Sequence, residues 1–191
     1  MDTVSEEGIA KINTFSKLVL KRRGDSAVEF LNAANRLYAL HFVEVAEIGD
    51  HRVMYFLLRL AEGKRGGPAD AEVGRMIVAI IVEYLKEHPD DLVCYCHLDN
   101  YLTNAINRIF HIWARANKDL LDDHNCAFFD GTGRCDNLGL HFMVIYNQAC
   151  EDIAELKAFI QENSDDFAVC VREQIVLLHD IEKDFHNKQK N

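Results

Sequence analysis

The stretch LYALHFVEVAEIGDHRVMYFLLRL, Leu37 to Leu60, decides the fold. Two runs rich in Val, Phe, Tyr and Leu, Leu37–Ala46 and Arg52–Leu60, flank the turn formers Gly49-Asp50. Runs of that composition, broken by such a pair, predict adjacent antiparallel strands. In the first run Leu37, Ala39, His41 and Val43 share one face, and Tyr38, Leu40, Phe42 and Glu44 share the other. Both faces are apolar near the middle, so the strand is covered on both sides and helices flank the sheet.

Upstream, Ala27–Leu31 completes a three-strand meander, set off by Asn32-Ala33-Ala34-Asn35. Before it, Ile9, Ile12, Phe15 and Val19 stand at helical spacing. They predict an amphipathic helix of about five turns that Gly24 stops. Lys21-Arg22-Arg23 then closes the helix, where cations complement the negative end of its dipole.

Downstream, a loop from Ala61 to Ala69 leads to a helix over Asp70–His88, capped by Asp70 and bracketed by Pro68 and Pro89. Val73, Met76, Ile77, Ile80, Ile81 and Tyr84 cover more than half its circumference, which makes it central. A strand over Leu92–Leu98 follows, then a helix from Leu102 to Leu121. That helix turns Ile106, Ile109, Phe110, Trp113 and Leu120 inward and Asn104, Arg108, His111, Arg115 and Lys118 outward. Strands near Cys126–Phe129 and Leu138–Asn147 flank a loop of turn formers from Asp130 to Asn137. Two helices end the chain, Cys150–Asn163 and Asp166–Asn187. The second carries a seam of Val171, Ile175, Leu178, Ile181 and Phe185, to be covered by the parent domain or by a second copy. The expected fold is α+β: a mixed, mostly antiparallel twisted sheet of about six strands flanked by helices. Residues 1–147 form that domain and residues 148–191 a helical extension.

Composition sets the exclusions. With 191 residues, 49% apolar and 27% charged, the chain is long enough to bury a sizeable core. Its longest apolar run, Met76–Val82, falls far short of the roughly 18 residues a membrane span needs. The acidic start, Met1-Asp2-Thr3-Val4-Ser5-Glu6-Glu7, is unlike a secretory signal, so the expected location is cytoplasmic and the six cysteines are expected as reduced thiols. The net charge of −10 is lopsided, +1 over residues 1–66 and −11 over residues 67–191. Such a field repels a phosphate backbone, which excludes nucleic acid as a general partner.

From Ile9 to Asn147 the order helix, three antiparallel strands, glycine-bearing loop, helix, strand, helix, two strands resembles the GNAT acyltransferase superfamily. In that family the loop after the third meander strand reads Gln/Arg-x-x-Gly-x-Gly/Ala. Its N–H groups, with the following helix N-terminus, hold the pyrophosphate of acyl-CoA. The resemblance implies that role for Lys64, Arg65, Gly66 and Gly67. The sequence departs from the pattern at Lys64, and Pro68 removes a donor. The family's Asn-x-x-Ala, with a general-acid Tyr one helical turn later, is also missing. Counting from Asn100 gives Thr103 and Asn107, and counting from Asn104 gives Asn107 and His111. A His titrates near cellular pH and can protonate a thiolate, but His111 falls on the outward stripe. Leu92 to Trp113, with Arg108-Ile109-Phe110, is similar to a segment of small bacterial proteins without an assigned function.

Other chemistry is thinly signalled. Cys94 and Cys96 share a strand face and His97 takes the other, so the three do not converge on one ion. The remaining zinc set is Cys126, Cys135, His124 and His141, and with neither Cys-x-x-Cys nor His-x-x-x-His present, no metal is expected. No Gly-x-Ser-x-Gly elbow occurs, and nothing selects a Cys96–His111 pairing. The acids from Asp130 to Asp136 lack the ligand pattern of a calcium loop and predict a polar hairpin turn. Asp99 or Asn100 caps the next helix, and Phe110 and Trp113 anchor the core. The expected function is a non-catalytic binding or accessory protein, without a cofactor, that contacts a protein partner or a second copy of itself. The alternative is an acyl-CoA-dependent N-acyltransferase with a divergent cofactor loop.

Overall fold

The computed structural model describes residues 3–63, 70–98, 103–135 and 138–174. It is α+β, a seven-stranded mixed sheet with helices on both faces. The order along the chain is α1 (Glu6–Phe15), β1 (Leu20–Arg23), β2 (Ala27–Leu31), β3 (Leu37–Ile48), β4 (His51–Glu62), α2 (Ala71–Glu87) and β5 (Leu92–Leu98). Then come α3 (Thr103–Ala116), α4 (Lys118–Asp123), β6 (Cys126–Cys135), β7 (Leu138–Asn147), α5 (Ile153–Glu162) and a helical segment, α6, over residues 164–174. In the sheet the strands lie β1-β2-β3-β4-β5-β7-β6, and every pair is antiparallel except β4 with β5. No helix among the described residues is long and apolar enough to cross a membrane.

The meander, the α2 boundaries with Asp70 as N-cap, and β5 agree with the sequence reading. Three places differ. The first helix stops at Phe15, and Lys21-Arg22-Arg23 belongs to an edge strand instead of a helix end. Asn13 causes the change: its side chain accepts from the Leu20 N–H at 2.8 Å and donates to the Leu20 carbonyl at 2.9 Å. The chain thereby turns back, and Gly24 serves the β1–β2 hairpin. Arg22 pairs with Glu6, and Arg23 with Glu29 across the ladder.

Second, the long helix after β5 breaks at Asn117, whose side-chain amide donates to the Trp113 carbonyl at 2.8 Å. Third, residues 130–135 are ladder, not turn. The glycine at 133 gives clearance there, since a Cβ on Gly133 would lie 2.1 Å from the Ser164 carbonyl oxygen. Glycine in a strand often marks such a close approach.

Two cores follow from the alternation of strand side chains. One face of the sheet, with Leu40, Phe42, Met54 and Phe56, packs on α1, α2, α3 and α4. The other, with Val45, Val53, Leu92, Phe142 and Val144, packs on Ile160 of α5 and on Phe167, Ala168 and Val171 of α6. Helix α2 buries nearly every side. Trp113, expected as a core anchor, is half-buried and lies over Gly74 of α2.

At the end where β4 and β5 begin, the buried carboxylate of Asp91 accepts from Arg52 Nε at 3.0 Å, from a terminal Arg52 nitrogen at 2.6 Å and from the Tyr84 hydroxyl at 2.6 Å. Asp91→Ala removes an acceptor shared by β4 and α2. It is expected to cost about 2–3 kcal/mol, below the full value for a buried pair because Arg52 is partly exposed. Urea denaturation checks this, and a loss under about 0.5 kcal/mol would contradict it. Gly74→Ala tests the Trp113 seat. A Cβ there would lie 2.2 Å from the indole Cδ1, so overpacking of about 1–3 kcal/mol should outweigh the gain of about 1 kcal/mol in helix propensity. A stabilised variant would show that the ring yields freely.

Candidate functional site

Helix α3 lies over the β6–β7 end of the sheet, and its exposed flank meets the two strands across an open cleft of about 500 Å³. The walls are His111, Ile112 and Arg115 from α3, Asp130, Gly131 and Thr132 from β6, and His141 and Phe142 from β7. That volume lies within the range of small-ligand sites. The spacing produces the polar wall. His111 and Arg115 are four residues apart on one helix face, Asp130 and Thr132 share a strand face, and the ladder sets Thr132 opposite His141.

His111 Nδ1 lies 3.1 Å from Asp130 Oδ1, and an Arg115 guanidinium nitrogen 3.7 Å from Asp130 Oδ2. Both pairs are partly exposed and therefore contribute little stability. Their effect is orientation: with Nδ1–H toward Asp130, the His111 Nε2 is left as a hydrogen-bond acceptor. The outward placement expected of His111 is corrected here. It faces β6 and its side chain is 25% exposed, whereas Ile112 of α3 is 56% exposed.

The GNAT-implied residues Lys64, Arg65, Gly66 and Gly67 lie outside the described residues. So do Ile175, Leu178, Ile181 and Phe185 of the expected interface seam, while Val171 is fully buried against the sheet. The N-terminus of α2, the helix after that loop, is described. Asp70 Oδ1 accepts from the N–H groups of Glu72 at 3.0 Å and Val73 at 3.3 Å, and Asn32 donates to Asp70 Oδ2 at 2.9 Å.

The parallel ladder joins β4 to β5 over three pairs only, Val53↔Leu92 to Tyr55↔Cys94. Beyond it both strands continue, and the rings of Phe56, Tyr95 and Phe110 close on one another with centroids 4.6 to 5.0 Å apart.

The zinc set Cys126, Cys135, His124 and His141 does not assemble. Cys126 pairs with Asn147 and Cys135 with Leu138, at opposite ends of the β6–β7 ladder and roughly 30 Å apart. Burial pushes the Cys126 thiol up to about 11, and lowers His124 with help from the Lys86 ammonium. A different group does assemble, from residues whose spacing gives no signal: His51, Asp90 and Cys150. Burial, reinforced by the carboxylates of Asp90, Asp152 and Glu151, raises the Cys150 thiol, while the Asp152 backbone N–H opposes the rise.

No family model matches the chain, and neither a curated protein nor a solved structure matches it.

The thiols are expected to react in order of exposure. At pH 8 a maleimide should label Cys170, which is exposed, and leave Cys126 unlabelled in the folded protein. With its pKa near 11, Cys126 holds roughly one part in a thousand as thiolate. Peptide mapping by mass checks this, and equal labelling of the two would contradict the burial of Cys126.

Proposed function

We propose that the chain is a non-catalytic binding or accessory protein of GNAT-like arrangement that acts through protein–protein contacts. The ring cluster where β4 and β5 part carries the reading. In open sheets a ligand enters the crevice beyond the carboxyl ends of parallel strands. Here Phe56 and Phe110 are 1% and 2% exposed and, with Tyr95, occupy the α2 and α3 side of that gap. The N-terminus of α2 supports the same reading, because the Asp70 carboxylate takes the donors that a pyrophosphate would need and repels its charge.

The contact surface suggested is the outer side of the C-terminal helices, where Phe159 is 50% and Val169 37% exposed. It lies in the acidic half of the chain and suits a protein partner or a second copy. Val171, expected in the interface seam, is buried against the chain's own sheet and is not part of that surface.

One observation favours the alternative, an acyl-CoA-dependent N-acyltransferase: His111, at the place of the family's acid when counted from Asn104, is held by Asp130 beside a cleft. Thermal unfolding with acetyl-CoA and with free CoA separates the two readings. A native-state ligand must raise the midpoint, and no rise is expected even at millimolar ligand. A rise that Lys64→Ala with Arg65→Ala removes would overturn the non-catalytic reading. Light scattering on the same sample reports the second copy as a mass above the 21.9 kDa of one chain.

A further inference from the structure

Helix α6 crosses the second face of the sheet. Ser164 and Ala168 lie against Gly133 of β6, and the Phe167 ring meets Phe142 of β7 with centroids 4.9 Å apart. Two residues before the buried Val171 comes Val169, and between them the Cys170 thiol reaches the Val45 carbonyl of β3 at 3.7 Å. The helix therefore heads from β6 toward β3, with β2 and β1 beyond. We propose that residues 175–187 of this same chain carry α6 onward and dock on β3 and β2, with Ile175, Leu178, Glu182 and Phe185 toward the strands.

The receiving face is defined by the ladder. Arg23 stands opposite Ala27, Ala39 opposite Arg59 and His41 opposite Leu57, all on the side of the sheet that α6 covers. Ala27, Ala39 and Val43 are 1%, 3% and 9% exposed, yet none belongs to either core. The His41 Nδ1 is buried without a hydrogen-bond partner, and burial, followed by the Arg59 charge, lowers the pKa of its ring. A strand face of this kind lies under an apolar cover. Val19 and Leu31, at the other end of β1 and β2, are 61% and 48% exposed, so the cover stops short of that corner.

Three features select the chain's own C-terminal segment as occupant. Ile175, Leu178, Glu182 and Phe185 follow Val171 at steps of 4, 3, 4 and 3, which keeps them on the helix side that Val171 already buries. Helical continuation from Gln174 to Phe185 adds about 16 Å, more than the roughly 10 Å between β3 and β1. Charge agrees as well. Lys21, Arg23 and Arg59 outnumber Glu29 on the face, and Asp180, Glu182 and Asp184 outnumber Lys183 in the segment. An acid at the centre of an apolar seam calls for a cation opposite. A second copy is the poorer occupant, because the first residue of its seam is fixed on its own sheet. The inference goes beyond the proposed function: the seam is used within the chain, and Phe159 and Val169 are left for a partner.

The test is chymotrypsin cleavage after Phe185 in the full chain, followed by peptide mass. The wild type is expected to resist cleavage there equally at every protein concentration, since an undocked helix of this length is marginal in water and is cut. Leu178→Asp and Glu182→Lys should each speed the cleavage by roughly ten-fold or more with the sheet's circular dichroism unchanged. Arg59→Glu should do the same, and combining it with Glu182→Lys should restore resistance. Rapid cleavage of the wild type, or a double variant without restored resistance, overturns the proposal. Resistance that fades on dilution overturns it in favour of a second copy. Should Leu178→Asp fail to fold, Glu182→Lys decides, and an unchanged cleavage rate in that variant overturns it equally.

Discussion

The buried carboxylate of Asp91 is the contact on which the rest of the arrangement depends. At 6% exposure its charge must be matched, and Arg52 and Tyr84 match it from two other elements. Arg52 immediately precedes Val53, and Asp91 immediately precedes Leu92. The pair therefore locks the register Val53↔Leu92 from which the parallel ladder starts. Tyr84, in the last turns of α2, fastens the crossover helix to the same point. One carboxylate thus joins β4, α2 and β5.

That register has two consequences at opposite ends of the strands. At the near end it sets His51 and Asp90, each one residue before the clamp, beside each other and beside Cys150. At the far end the ladder stops after Tyr55↔Cys94, and the strands are kept together by the rings of Phe56, Tyr95 and Phe110 instead of by backbone hydrogen bonds. The space between them on that face is filled by core packing. The open polar cleft lies elsewhere, between α3 and β6, because α3 crosses the sheet with His111 and Arg115 toward Asp130.

Local pattern accounts for much of this. The period-two runs at Leu37–Ala46 and Arg52–Leu60, the near-continuous apolar surface of Val73 to Tyr84 and the cap at Asp70 each require one element type, whatever surrounds them. The same reasoning failed at Lys21-Arg22-Arg23, where a helical spacing carried through Val19 was interrupted by an Asn13 side chain bonded to Leu20. It failed again at Asp130 to Cys135, since a glycine that admits a neighbouring backbone has the same letter as one that makes a turn.

Outside β1 and residues 130–135, the amino-acid order by itself determined the kinds of elements, their sequence and the two-sided burial of the sheet, because these rest on periodicity and on caps within a few residues. Only the tertiary structure decided which groups meet. His111 with Asp130 and His51 with Cys150 are separated by long stretches of chain, and their meeting depends on strand order and register. Those in turn are set by a single parallel pairing and a buried charge clamp, neither of which leaves a periodic trace in the sequence. The zinc set drawn from the last hairpin fails for the same reason: residues near in sequence lie at opposite ends of a ten-residue ladder. A binding centre needs convergence in space, and in a sheet convergence follows register.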